Sequence, residues 1–332
     1  MNSSLVTPIS DECRFCSVVS KANGEDPIGS AWHYDQWLII EMPQPWEDLW
    51  HEHPVLKVIF QQIQARRQVT GAWIRPLVIA PDREYSQPNV TRILYYQRPP
   101  HPFAQFEPQE FLIPTDQILN LAIALLDQSA ALLEFEPYRQ PVGTRDLMVC
   151  THGNVDVACA RFGYPIYQQL RQEYAHENLR VWRCSHFGGH QFAPTLIDLP
   201  SGRYWGHLDA DILDNLVNHS GTVTALRRFY RGWAGLTPVE QIAEREIWMQ
   251  EGWKWLDYQK SGQVLAIDSS DEDYPDWAEV QINFNSPDGH ITGAYTARIE
   301  AHGTVKTMWK SGKDETLAEV KQYQVSRLER TD

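Results

Sequence analysis

The hydrophobic positions in the first part of the chain alternate between short runs and helical spacing. Apolar runs closed by turn residues predict strands at 37–41, 76–80, 91–96 and 106–114. Apolar residues at three- and four-residue spacing predict helices at 51–67 and 115–134. The second of these helices is apolar nearly all round, which is typical of a buried helix. This order of strands and helices predicts a small α/β sandwich.

The pattern is repeated in the middle of the chain. Apolar runs predict strands at 147–149 and 180–182 and a hairpin at 194–206, and helical spacing predicts helices at 161–175 and 209–218. We interpret this as a second lobe with a related order of elements, although no residue-level repeat is visible. Turn residues between 136 and 143 separate the two lobes.

The last hundred residues have a different pattern. Thr237 and Glu240 form a capping box with Pro238 at the first helical position, which predicts a helix to about residue 255. Strand-like pieces follow at 263–267, 278–284, 291–299, 305–309 and 317–328. Strict alternation of apolar and polar residues in 278–284 predicts a sheet with one face in water.

The sequence therefore predicts an α/β protein in three parts. They are an N-terminal α/β lobe at 1–142, a second α/β lobe at 143–235, and a helix with a small antiparallel β domain at 236–332. Residues 268–276 are acidic, but their spacing misses the EF-hand pattern, and we interpret them as a solvated loop.

Composition and charge argue against some classes of function and favour others. The formal net charge of −14 argues against a nucleic-acid partner. The sequence contains no apolar run of membrane-spanning length and no secretory signal pattern, so we expect no membrane span and a cytoplasmic location. The five cysteines are odd in number and clustered, which favours metal binding or redox chemistry over a disulfide framework.

Four possible metal ligands lie within about forty residues of the second lobe: Cys150, Cys159, His186 and His190. Two thiolates with two imidazoles are typical of zinc or an iron–sulfur cluster. Cys150 is expected at the carboxyl end of a strand and Cys159 just before a helix, where α/β sheets place their sites. His186 and His190 flank two glycines, which disfavour a helix and predict a loop that wraps a ligand.

Other arrangements stay open at this point. Cys184 could replace His186 and give a Cys₃His set. A structural Cys₂His₂ zinc site is an alternative, although zinc sites usually have closer cysteine spacing. Cys13 and Cys16 form a C-x-x-C pair that could act in thiol–disulfide exchange, but no strand precedes it as such a dithiol requires.

The segments around these residues resemble the sucrase/ferredoxin-like family, a branch of the thioredoxin-like [2Fe–2S] ferredoxins. The matching segments include DLMVCTHGNVDVACARFGYP and RCSHFGGHQFAPTLIDLPSGRYWGHLD, and they extend over most of residues 13–235. The specific part is Cys-x8-Cys followed by His-x3-His. The resemblance implies a thioredoxin-like ferredoxin domain at 143–235, a degenerate thioredoxin-like lobe before it, and a [2Fe–2S] cluster. It implies that Cys150 and Cys159 bind one iron and that His186 and His190 bind the other.

We therefore expect a one-electron transfer protein rather than an enzyme with its own substrate. An iron-bound histidine can lose its second ring proton, so the electron transfer can be coupled to a proton and the potential should fall with rising pH. No dinucleotide-binding or P-loop motif is present, and the expected partner is another redox protein, which the sequence does not identify. The sequence does not indicate an oligomeric state. It shows no pair of carboxylates in an arrangement typical of glycoside hydrolysis.

Overall fold

A computed structural model describes residues 14–268, 274–312 and 315–331. Within these ranges the strands are β1 (Gln36–Glu41), β2 (Ile74–Ile79), β3 (Val90–Gln97), β4 (Glu107–Pro114), β5 (Arg145–Cys150), β6 (Leu179–Cys184), β7 (Leu196–Leu199), β8 (Arg203–Trp205), β9 (Tyr230–Trp233), β10 (Gln259–Ile267), β11 (Trp277–Asn285), β12 (Thr292–Thr307) and β13 (Ala318–Thr331). The α-helices are α1 (Cys16–Ala22), α2 (Leu49–Glu52), α3 (Pro54–Thr70), α4 (Ile118–Asp127), α5 (Val157–Glu173), α6 (Leu213–Asn218) and α7 (Pro238–Glu251). Short 3₁₀ helices lie at Thr115–Gln117, Ala130–Tyr138, His190–Phe192, Ala210–Ile212, Val223–Phe229 and Trp253–Asp257.

The fold is mixed α/β, with one large sheet and a separate four-stranded antiparallel sheet. The strand order in the large sheet is β4-β3-β1-β2-β6-β5-β7-β8-β9. In the first half β1 is parallel to β2 and antiparallel to β3, which pairs with β4. In the second half β5 is parallel to β6 and antiparallel to β7, which pairs with β8. The two halves therefore share one topology, a strand–helix–strand unit followed by a hairpin and a helix.

The halves join edge to edge through β2 and β6. Ile79 lies opposite Cys184 in an antiparallel contact. The Ala80 N–H donates to the Arg183 carbonyl at 2.9 Å, and the Ser185 N–H donates to the Val78 carbonyl at 2.8 Å. Pairing the two edge strands protects their free backbone groups. The expectation of a related N-terminal lobe is thus supported by topology, without any visible sequence repeat.

The third part of the chain packs on the large sheet through α7. The predicted capping box is present, and the Thr237 N–H donates to the Glu240 carboxylate at 2.7 Å. The sequence pattern indicated a single apolar stripe, but α7 is buried on nearly all sides because it contacts β9 and the second sheet. Its buried Glu244 accepts hydrogen bonds from Tyr230 at 3.0 Å and Arg203 at 3.2 Å.

The second sheet has the order β10-β11-β12-β13. Burial alternates along β11, as its sequence pattern predicts. The pieces predicted at 291–299 and 305–309 form one long strand, β12, with irregular register near 301–304. The segment after β12 returns to the start of the described chain, where Arg14 and Gly312 pair. Most of the predicted acidic loop, residues 269–273, lies outside the described residues.

Several boundaries differ from the prediction. The helix predicted at 161–175 begins at Val157, so Cys159 lies in its first turn rather than before it. The helix predicted at 51–67 is divided into two helices, and the second begins at Pro54. Proline is favoured at the first helical position, because an N–H there would have no partner within the helix. Strand β9 was not predicted, because it is short and contains Arg231 and Gly232.

No helix among the described residues is both long and apolar enough to cross a membrane. The domain boundaries at 142/143 and 235/236 stay predictions.

Candidate metal centre

Two buried cysteines lie where strand β5 meets helix α5. Cys150 is the last residue of β5, and Cys159 is the third residue of α5. Asp156 caps this helix by accepting a hydrogen bond from the Ala158 N–H at 2.8 Å. Gly163 lets the helix approach the strand, since a Cβ there would lie 2.1 Å from the Cys150 carbonyl oxygen. The eight-residue spacing thus brings both thiols to one end of the parallel pair β5–β6.

His186 enters the same place from the loop after β6. Its Nδ1 lies 3.9 Å from the Cys150 Sγ and 3.8 Å from the Cys159 Sγ. The three donor atoms all lie within 4.8 Å of one another. The loop turns back at Gly188 and Gly189, whose φ angles of 98° and 76° favour glycine. The loop predicted from the two glycines is therefore present.

His190 lies beside this group but faces a second one. Its ring centroid is 5.5 Å from that of His186. Its Nδ1 lies 3.4 Å from the Cys16 Sγ and 3.6 Å from an Asp156 carboxylate oxygen. The structure thus places all four predicted ligands in one region, with three donors grouped and the fourth in contact with Cys16 and Asp156. The ligand set stays a prediction.

Cys16 and Asp156 belong to a buried polar network that the sequence did not indicate. The Ser311 hydroxyl donates to Asp156 at 2.7 Å, and the Ser311 N–H donates to the same carboxylate at 2.8 Å. The Cys16 N–H donates to the Ser311 hydroxyl at 3.1 Å. The network therefore links the N-terminal helix, the cap of α5 and the C-terminal part of the chain behind His190.

The cysteine pair is electrostatically unequal. Burial opposes the ionisation of Cys150, but hydrogen bonds from Cys159 and His186 outweigh it and hold the pKa of Cys150 well below its usual range. The hydrogen bond to Cys150, followed by burial, raises the pKa of Cys159 well above its usual range. One thiolate therefore forms easily, and a bound cation would be needed to hold both thiols ionised.

Two arginines bring positive charge to the loop that carries the histidines. Arg75 donates to the His186 carbonyl at 2.5 Å, and Arg231 donates to the Gly188 carbonyl at 3.0 Å. Arg231 is fully buried, and burial lowers its pKa to about 10. These charges would offset the negative charge of thiolates. Sequence reasoning missed both residues, because neither lies near the ligands in the chain.

The remaining cysteines have other positions. Cys184 lies at the β2–β6 join and is in neither group of possible ligands among the described residues. Cys13 lies outside the described residues. Burial raises the pKa of Cys16 to about 12, which is the opposite of what a reactive thiol requires. The thiol–disulfide interpretation of this pair therefore gains no support from Cys16.

A protein-family model described as sucrase/ferredoxin-like matches residues 27–232, which is more than half of the chain. The chain belongs to the sucrase/ferredoxin-like family. The family match contains all four predicted ligands and ends in β9. Helix α7, the second sheet and Cys16 lie outside it. Searches of curated proteins and of solved structures gave no match.

Proposed function

We propose that this member of the family transfers single electrons through a [2Fe–2S] cluster held by Cys150, Cys159, His186 and His190. The observation that supports it is the donor set: two buried thiols and one imidazole within 4.8 Å of one another, with the second imidazole ring 5.5 Å from the first. When bound, such a cluster takes up and releases one electron, and imidazole ligation raises its potential.

Other groups of the chain place positive charge near the cysteine ligands and near the loop that carries the histidine ligands. The backbone N–H groups in the first turn of α5 carry partial positive charge, which partly offsets the hydrogen bond to Cys150 and the burial that raise the pKa of Cys159. Arg75 and Arg231 add two positive charges on the side of the histidine loop. The oxidised cluster with two thiolates, two sulfides and two neutral imidazoles would be neutral and the reduced one would carry one negative charge, so these positive charges favour the reduced form.

The Cys16–Asp156 network would orient His190. A metal-bound histidine usually donates its other ring N–H to a carboxylate or a similar acceptor. Here the Nδ1 faces Cys16 and Asp156, so in this proposal it carries the proton and the Nε2 is left for iron. His152 supports the loop that carries His186, because its Nδ1 accepts a hydrogen bond from the His186 backbone N–H at 3.3 Å.

The electron would be exchanged with another redox protein. The sequence contains no nucleotide-binding motif that would supply electrons from a small cofactor. A cytoplasmic location agrees with the unpaired cysteines, since four described cysteines are free thiols.

The test is the iron and acid-labile sulfide content of the purified or anaerobically reconstituted protein, with its visible spectrum. We expect two of each per chain and a red-brown colour. Cys150→Ser and His186→Ala should lose the colour, whereas Cys184→Ala, which removes an equally buried thiol outside the donor group, should keep it. A colourless protein, or loss of colour only in Cys184→Ala, would contradict the proposal.

A structural zinc site is the second candidate, and one observation favours it. Cys150, Cys159 and His186 offer three ligands to a single tetrahedral ion, whose fourth ligand would be a water, while His190 contacts another group. This alternative predicts one zinc per chain, no visible absorption and retention of the metal in His190→Ala. The cluster proposal predicts the opposite result in all three measurements.

A further inference from the structure

A cavity of about 990 Å³ borders the candidate metal centre. It lies between the histidine loop, the N-terminal segment 25–33 and the edge of the second sheet. Its walls include His186, His190 and three tryptophans, Trp32, Trp73 and Trp309. Small-molecule sites usually measure about 300–1,000 Å³. The candidate metal centre therefore opens onto a space that can hold a small molecule.

The three tryptophans are partly exposed, although the Arg67 guanidinium lies over one face of the Trp73 ring, 3.3 Å from its centroid. Trp32 is 49% exposed, Trp73 is 38% exposed and Trp309 is 45% exposed. In the part of the chain that the structure describes, their indole N–H groups have no hydrogen-bond acceptor. Indole rings supply large apolar faces and a donor but no acceptor. Trp32 and Trp309 thus offer exposed ring surface and N–H donors to a ligand in the cavity.

The charged groups of the cavity are already paired. Arg245 donates to the Asp26 carboxylate at 2.7 and 2.8 Å. Arg231 donates to the Ser30 carbonyl at 2.8 Å and to the Ser30 hydroxyl at 3.0 Å. Lys321 donates to Asp276 at 2.7 Å. A ligand that depends on a hydrogen bond to one of these charged groups would have to displace a present partner, whereas an uncharged ligand would not.

We propose that this cavity binds an uncharged, planar, conjugated ring with carbonyl oxygens on the ring, the quinone class. The ring would stack on the indole faces, and its carbonyl oxygens would accept hydrogen bonds from the indole N–H groups. The choice of a redox-active class, rather than any planar carbonyl compound, rests on the proposed electron transfer, because His186 and His190 form part of the cavity wall.

The test uses a matched pair of probes in equilibrium dialysis against the full chain. Duroquinone is a fully methylated benzoquinone that does not add to thiols, and durene is the same ring without oxygens. We expect saturable binding of one duroquinone per chain and at least about tenfold weaker binding of durene, since carbonyl hydrogen bonds distinguish them. Equal binding of the two, or no binding of duroquinone, would overturn the proposal.

Variants locate the site. Trp32→Ala with Trp309→Ala should weaken duroquinone binding by about fivefold or more, because two ring-stacking contacts are lost. Trp50→Ala is the control, since Trp50 packs against Phe60 on the first half of the sheet. Trp32→Phe with Trp309→Phe keeps the stacking faces and should reduce the preference for duroquinone over durene. An effect as large in Trp50→Ala would place the binding elsewhere and refute the assignment.

The two proposals fail separately, because binding is measured on protein with and without reconstituted iron. Duroquinone binding by a chain that takes up no iron would refute the cluster and retain the cavity site. A red-brown, iron-loaded protein that binds neither probe would refute the cavity site and retain the cluster.

Discussion

Gly163→Ala tests how the packing of α5 on β5 positions the two cysteines. An alanine Cβ would lie 2.1 Å from the Cys150 carbonyl oxygen, and real Cβ atoms essentially never approach closer than 3.0 Å. The helix and the strand therefore have to separate by about 0.9 Å at this point. The obstacle is backbone, so rotation of a side chain cannot relieve it.

The expected loss of stability is small, and the expected loss of metal is large. Overpacking costs about 1–3 kcal/mol, and alanine stabilises a helix by about 1 kcal/mol relative to glycine. The free energy of unfolding should therefore fall by roughly 0–2 kcal/mol. Metal–ligand distances hold to within about 0.2 Å, so a displacement of about 0.9 Å between Cys150 and Cys159 should prevent correct ligation.

The assay combines urea unfolding with the iron content after anaerobic reconstitution. Gln168→Ala is the matched control, because Gln168 is exposed on the same helix. We expect Gly163→Ala to retain its fold but to bind much less iron than the control. If Gly163→Ala binds the full amount of iron at unchanged stability, the cysteines are not positioned by this contact and the reasoning is wrong.

Three further predictions follow from the charges around the site and the core. Arg75→Met should lower the cluster's reduction potential by tens of millivolts, because a partly buried charge within about 10 Å contributes roughly 1–2 kcal/mol; redox titration measures it. The potential of the native protein should fall as the pH rises in the alkaline range, and a constant potential would contradict imidazole ligation. Burial, and then the charge of Arg203, lowers the pKa of Lys260 well below its usual value. Unfolding therefore takes up a proton below the unfolded pKa of about 10.5, so stability should rise with pH toward that value. Lys260→Met should flatten this rise in urea midpoints measured between pH 7 and pH 10.

Most strands of the two lobes could be predicted, because they are short apolar runs in an order that recurs. Their joining into one nine-stranded sheet through β2 and β6 was not predicted. The loop at Gly188 and Gly189 could also be predicted, since two glycines between the histidines argue against a helix. The predicted start of α5, at residue 161, lies four residues after the observed start at Val157. The position of Cys159 in the first turn of this helix was therefore not predicted. Asp156, three positions before Cys159, was the available signal for an earlier helix start, because aspartate is a preferred N-cap.

The network behind His190 could not be predicted, because its members are distant in the sequence. Asp156 and Ser311 are separated by 155 positions. Ser311 follows a strand of the second sheet, and no periodicity indicates that this segment returns to α1. The cavity has the same origin, since Trp32 and Trp309 come from opposite ends of the chain. Long-range packing, rather than local pattern, builds the surroundings of the site.

Pulsed electron paramagnetic resonance of the reduced protein, grown with ¹⁵N-labelled histidine, tests the mixed ligand set directly. The account predicts a spin-one-half signal coupled to two histidine nitrogens. A signal without nitrogen coupling, or no signal from protein that contains only zinc, would contradict it.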